Sequence, residues 1–253
     1  MNTSCMRLSI LLAVLIFTVS PLTAFGEPVK IGYFKLPPHS YNEGGTAKGA
    51  AVDYFNTHIA GAMGVTFDWD GPHPVPRLMA MLEKGKIKMI LLLAKNKERA
   101  AKFDYPDQPY FYGESSIAVA KANPMNEIGS VDDLSGMKLG FFNKGFIHPV
   151  LRNNKAINWQ LSHALDYQAQ NLKKVAAGRL DAAYDPETSS LKYGIAKLNL
   201  GEKIKILTVP GTRAGMYCLF TKSDQGKLLA LFNKAHAAAS GVNYMDLVRP
   251  YLK

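Results

Sequence analysis

Apolar and polar positions alternate over Val29-Lys30-Ile31-Gly32-Tyr33-Phe34, which predicts a short strand stopped by Pro37-Pro38. Residues 42–49, NEGGTAKG, read as a polar turn. From Ala50 the period lengthens: Val52, Phe55, Ile59 and Met63 fall on one helical face, and Gly64 ends that helix. A second strand is expected from Val65 to Trp69, followed by a Pro-rich loop. Pro76 suits the first position of a helix that turns Leu78, Met81 and Leu82 inward, with Gly85 as its stop. The run IKMILLLA that follows has no polar face beyond its lysine and reads as a fully buried strand.

Strands alternating with helices imply a parallel sheet with crossover helices. The pattern then returns. MKLGFFN (137–143) predicts a strand, a helix is expected from about His163 to Ala177 with a stop at Gly178, and RLDAAYD follows as a buried strand. LEKGKIKMI and VAAGRLDAA share one grammar: helix end, glycine, basic residue, branched apolar residue, strand. The chain is therefore expected to build one kind of α/β half twice, although any αβ unit shares some of that grammar.

The N-terminus follows a different logic. Arg7 precedes an apolar run from Ile10 to Val19, then Ser20-Pro21 and the small residues around Gly26. These are the parts of a secretory signal peptide cut near Gly26. A membrane anchor is the alternative, but about a dozen apolar residues is too short to span a bilayer. A freely soluble periplasmic protein starting near Glu27 is the expectation. Removal of the leader takes Cys5 away and leaves Cys218, so neither an intramolecular disulfide nor a cysteine metal cluster is expected.

The full chain carries a formal charge of +10, and the leader contributes one arginine and no acid. That excess favours anionic surfaces or small anions. The lysines are scattered along the sequence without a dense basic run or a nucleic-acid motif, so no nucleic-acid partner is expected and most of the excess reads as solvated surface. His39, His73 and His148 each neighbour a proline, lack helical i, i+4 spacing, and read as surface histidines rather than metal ligands. No metal and no cofactor are expected.

Several stretches, in order along the chain, resemble family 3 extracellular solute-binding proteins. They are GAAVDYFNTHIAGAMG (49–64), AMLEKGKIKMI (80–90), NKERAAKFDYPDQPYF (96–111) and IGSVDDLSGMKLGFFNKG (128–145). The resemblance implies an α/β fold of two Rossmann-like lobes joined by a two-segment hinge, the periplasmic binding protein type 2 arrangement. It implies lobe 1 over 27–113 and 209–253, lobe 2 over 114–208, and crossings near Phe111–Ser116 and Thr208–Arg213. Gly113, Gly211 and Gly215 suit segments that absorb backbone rotation.

The same resemblance gives Arg99 the role of forking a ligand carboxylate, for which a permanently charged guanidinium is well matched. The alternative is a surface arginine paired with Glu98 or Asp104. The rest of the amino-acid site is altered. By alignment, the carboxylate donors fall at Leu92 and Ala94, an ammonium-binding acid is replaced by Tyr33, the aromatic wall falls at Leu36, and a glycine-hydroxyl pair reads Gly145-Phe146. The second-lobe acid falls at Pro186, with Asp185 and Glu187 on either side as the candidates to restore it. Burying an ammonium without an acceptor costs several kcal/mol, so a small carboxylate with an apolar or aromatic body is expected over an ordinary amino acid.

Three functions follow from the resemblance. The first is a monomeric solute receptor, not an enzyme, that captures a carboxylate or amino-acid-like ligand for the permease of an ABC importer. The second is a ligand-sensing receptor for a membrane kinase. The third is an enzyme on the same scaffold, resembling periplasmic cyclohexadienyl dehydratases, in which a second-lobe carboxylic acid protonates a leaving hydroxyl and DPET (185–188) places Glu187 and Thr188.

Overall fold

The computed structural model describes residues 27–253; the expected leader, with its cleavage point near Gly26, lies outside them. The first strand, β1, is Val29–Gly32, as its alternation predicts. The polar stretch after it forms a small hairpin, β2 (Tyr41–Glu43) and β3 (Thr46–Lys48), rather than a simple turn. The expected helix is α1 (Ala50–Tyr54), a π-helical segment Phe55–Ile59, and α2 (Ala60–Met63). Gly64 ends it in the left-handed conformation, φ 69°, which glycine adopts without steric cost.

Strand β4 (Phe67–Asp70) leads to α3 (Val75–Glu83), where Pro76 stands second rather than first, and then to β5 (Met89–Ala94), buried at every position. Helix α4 (Lys97–Lys102) and β6 (Phe111–Gly113) complete this half. The second half holds β7 (Ser116–Ala120), β8 (Lys138–Phe142), α5 (Pro149–Asn153) and β9 (Asn158–Ser162). It continues with α6 (Tyr167–Ala176), β10 (Ala182–Asp185), α7 (Thr188–Lys197) and β11 (Ile204–Thr208). The chain then returns to the first half as β12 (Ala214–Phe220), α8 (Lys227–Ala238) and α9 (Tyr244–Val248).

Two five-stranded sheets result, ordered β4-β1-β5-β12-β6 and β9-β8-β10-β7-β11. In each, three strands are parallel and the last two reverse direction in turn. The two stretches with shared grammar end in β5 and β10, the central strands of their sheets. The antiparallel strands were not part of the sequence expectation, because long-range return strands leave no local periodicity that distinguishes them. Each sheet has its own apolar core. One is centred on Phe55, Leu78, Leu91 and Phe232, and the other is divided over the two faces of its sheet around Phe141 and Leu172.

The chain passes between the sheets twice, from β6 to β7 and from β11 to β12. The two passages are laced together: Val209 N donates to Ser115 O at 2.8 Å, and Ser115 N donates to the Thr212 hydroxyl at 3.0 Å. That hydroxyl donates to Val209 O at 2.6 Å. The passages therefore run side by side as a short, hydrogen-bonded neck.

Candidate functional site

The site is assembled where β5 ends. Against β12, strand β5 slips register between Leu93 and Ile90, and Leu92 takes a left-handed backbone, φ 60°. Such a bulge re-aims side chains at the end of a strand, and a non-glycine residue in this region costs about 1–3 kcal/mol. The freed Leu92 N–H donates to the Tyr110 hydroxyl at 3.0 Å, so the distortion leaves no buried donor unpaired there.

Beyond Ala94 the Asn96 side chain caps α4 by accepting from Arg99 N at 2.8 Å. That cap folds the short helix back on the strand, and Arg99 Nη1 donates to Ala94 O at 2.9 Å. Arg99 is only 6% exposed, yet among the described residues no carboxylate lies within 4.0 Å of its guanidinium. The alternative of an exposed arginine paired with Glu98 or Asp104 therefore does not hold. Burial is the main influence on its pKa and lowers it; Tyr105 and Glu98 oppose that shift, and the Arg152 charge reinforces it. An arginine nonetheless stays protonated in proteins.

Two cavities meet at Arg99. The inner one, about 30 Å³, is walled by Phe34, Leu36, Leu92, Phe142, Phe146 and Met216, with Ala94 and Glu187 also on its lining. The outer one is a cleft of about 900 Å³ between the end of β5 with α4 and the loop 144–149 with α5. Arg99, Ala94 and Phe146 line both. Gly145 is fixed here because a side chain at that position would collide with the Phe141 and Phe142 rings.

The structure thus brings together six of the residues singled out from sequence: Arg99, Leu36, Leu92, Ala94, Phe146 and Glu187. Tyr33 and Asp185 line neither cavity. The Tyr33 hydroxyl donates to Gly71 O at 3.0 Å and its ring stands edge-on to Trp69. Asp185 is fully buried beneath α7, where Oδ1 accepts from Glu187 N and Oδ2 from the Gln168 amide, each at 3.1 Å. Burial first, then the neighbouring Glu187 charge, pushes its pKa well above the usual carboxylate range.

Glu187 caps α7 as Asn96 caps α4, accepting from Ser190 N at 3.2 Å. The same Oε2 takes a 2.5 Å bond from the Ser189 hydroxyl and lies 2.8 Å from His39 Nε2. His39 is not a surface residue: it has no exposure, and its ring lies nearly parallel to those of Phe111 and Tyr244, which stack on each other, with Nδ1 2.8 Å from the Tyr244 hydroxyl. Burial would raise the pKa of Glu187, but the charge and hydrogen bond of His39 and the bonds from Ser189 outweigh it and hold the carboxyl below its ordinary value. A buried chain Tyr244–His39–Glu187–Ser189 therefore joins the two halves. The sequence carried no local signal for it, since His39 and Glu187 are 148 positions apart.

No protein-family model matches the chain, and no curated protein matches it. Solved structures do. A histidine kinase sensor domain with similarity to periplasmic binding proteins superposes with a TM-score of 0.74 at 20% identity, over 89% of this chain and 96% of that one. An ancestral arginine-binding protein bound to arginine gives 0.73 at 21% identity, over 91% of this chain and 100% of that one. An ancestral amino acid-binding protein, AncCDT-1, a precursor of cyclohexadienyl dehydratase, gives 0.71 at 19% identity, over 89% and 95%. The likeness is one of architecture, two α/β lobes with a double connection around a cleft, and the chain accordingly has the type 2 bilobed fold of the family 3 solute-binding proteins.

Proposed function

We propose that this chain is an exported binding protein that captures a small carboxylate between its lobes, with Arg99 as the anchor. The carrying observation is a buried guanidinium, free of any carboxylate among the described residues, at the junction of an open cleft and an apolar cavity. Burying a charge without a partner is costly, and an anionic ligand removes that cost. In this reading lobe 1 comprises 27–113 and 209–253, lobe 2 comprises 114–208, and the laced neck is the hinge. The protein works as a periplasmic monomer and hands its ligand to the permease of an ABC importer. The solved amino-acid-binding protein and sensor domain of the same fold support ligand capture as such.

Binding is favoured over catalysis by the state of the acids. A general acid must hold a proton at working pH, whereas Glu187 is held below its ordinary pKa by His39. Thr188 is engaged with the Ser116 hydroxyl at 2.7 Å and with Glu114 O. Ammonium recognition is weakly provided for. Tyr33 and Asp185 are turned away from both cavities, and the Glu187 carboxylate is already engaged by His39 Nε2 and the Ser189 hydroxyl. A deaminated carboxylate should therefore bind more tightly than the amino acid of the same side chain.

Calorimetry with matched acid and amino-acid pairs, on wild type and Arg99→Ala, tests this. The loss of a bidentate charge-assisted contact should weaken binding by about 3 kcal/mol, on the order of a hundredfold. Unchanged affinity in Arg99→Ala would refute the anchor, and consistently tighter binding of free amino acids would restore an ordinary amino-acid site.

A further inference from the structure

We propose that the ligand is a dicarboxylate, one carboxylate on Arg99 and the other on Arg152 of the facing lobe. This rests on Arg99 being the anchor. The outer cleft gathers cations that are far apart in sequence: Lys95, Lys97 and Arg99 on one wall, Lys144 and Arg152 on the other. Its acids are Glu83 and Glu98, and Glu83 is already tied to Lys102 Nζ at 3.2 Å. Among the described residues neither arginine of the cleft has a carboxylate within 4.0 Å.

The two arginines line opposite walls of one cleft, and the charge of Arg152 is felt at the buried Arg99. Like charges on opposite walls resist closure. One carboxylate forked by Arg99 satisfies a single wall and leaves Arg152 and Lys144 facing each other's field. Two carboxylates joined by a short apolar spacer satisfy both walls, and the spacer lies against Phe146 and Ala94, which are shared by both cavities. A cleft of about 900 Å³ has room for such an extended ligand. On this proposal a compact single anion engages one guanidinium at a time, which the phosphate arm of the test below checks.

The test is calorimetry on the protein from Glu27 onward, at fixed ionic strength, with butyrate, succinate, glutarate and inorganic phosphate. The better dicarboxylate should bind at least about tenfold tighter than butyrate, a difference of roughly 1.4 kcal/mol. Arg152→Gln, at an exposed position, should erase that advantage and leave butyrate within about twofold. Arg99→Ala should weaken every carboxylate, with Arg99→Lys as the second variant in case the alanine form fails to fold. Dicarboxylates no tighter than butyrate, equal losses for both in Arg152→Gln, or phosphate as tight as the dicarboxylates would overturn the proposal. Losses confined to Arg152→Gln, with Arg99→Ala unaffected, would instead strike the anchor reading, and an absence of binding by all four probes would remove both.

Discussion

Asp185 and Glu187 are two residues apart, both buried, and their pKa values are pushed in opposite directions by their surroundings. Asp185 has its pKa raised by burial and by Glu187. Between the unfolded value, about 3.9, and its higher native value, the folded protein binds the extra proton, so its contribution to stability is full at low pH and is lost as pH rises. Asp185→Asn should therefore raise the melting temperature at neutral pH by a few degrees and flatten that slope. Gln168 can turn its amide to meet the new NH₂ group. Thermal unfolding from pH 4 to 8 decides it; a lower melting temperature at pH 7 would mean that the charged form is the native one. Glu187 runs the other way: its pKa is depressed by His39 and Ser189 against the cost of burial. Its stabilisation is present above about pH 4.3 and is lost as pH falls through the native value. Removing its partner strands a buried charge, so His39→Ala should cost about 3–5 kcal/mol in urea unfolding at pH 7.

Among the elements, β5 and α4 carry the most of the site, and the parts legible in sequence follow from that. The buried run ending at Ala94 was readable because apolar periodicity is local. The bulge at Leu92 was not, because its cause is the partner strand β12 and the Tyr110 hydroxyl. Isoleucine keeps the volume of leucine but tolerates left-handed backbone poorly. Leu92→Ile should thus destabilise by about 1–3 kcal/mol more than Leu93→Ile, as measured by denaturant midpoints. Equal effects would show that the strand can shed the bulge. Tyr33, assigned to the ligand by alignment, instead lies against Trp69, because an aligned position fixes the strand register but not the direction in which a loop-end side chain leaves it.

For the molecule as a whole, alternating strands and helices announced two α/β halves, while the cleft's charge could not be read from scattered lysines. Lys95–Arg99 and Lys144–Arg152 meet only after both sheets have formed. The two lobes are fastened along one edge by His39–Glu187 and by Tyr41 against Tyr193, next to the laced neck. Opening should therefore swing the arginine-lined side apart about that edge. Saturating ligand should shrink the radius of gyration in X-ray scattering and raise the melting temperature, because it binds only the closed folded form tightly. Affinity should also fall on going from low to physiological salt, since the outer cations remain within reach of counter-ions. An unchanged radius with a raised melting temperature would point to a cleft closed before binding.

Cys218 lies in β12, wholly without exposure, and is the sole cysteine among the described residues. Burial lifts its thiol pKa well above the usual value, so in the folded state it is both hidden and protonated. The strand that holds it is the one that re-enters the first sheet from the neck and pairs with β5, the strand that leads to the arginine. This residue is thus a natural stopwatch for the return strand: an added disulfide reagent can mark it only in the intervals when β12 peels away. The marking rate, followed by absorbance without any engineered label, should slow in proportion as a true ligand is supplied, which turns an otherwise inert side chain into a screen for the molecule that the cleft was built to hold.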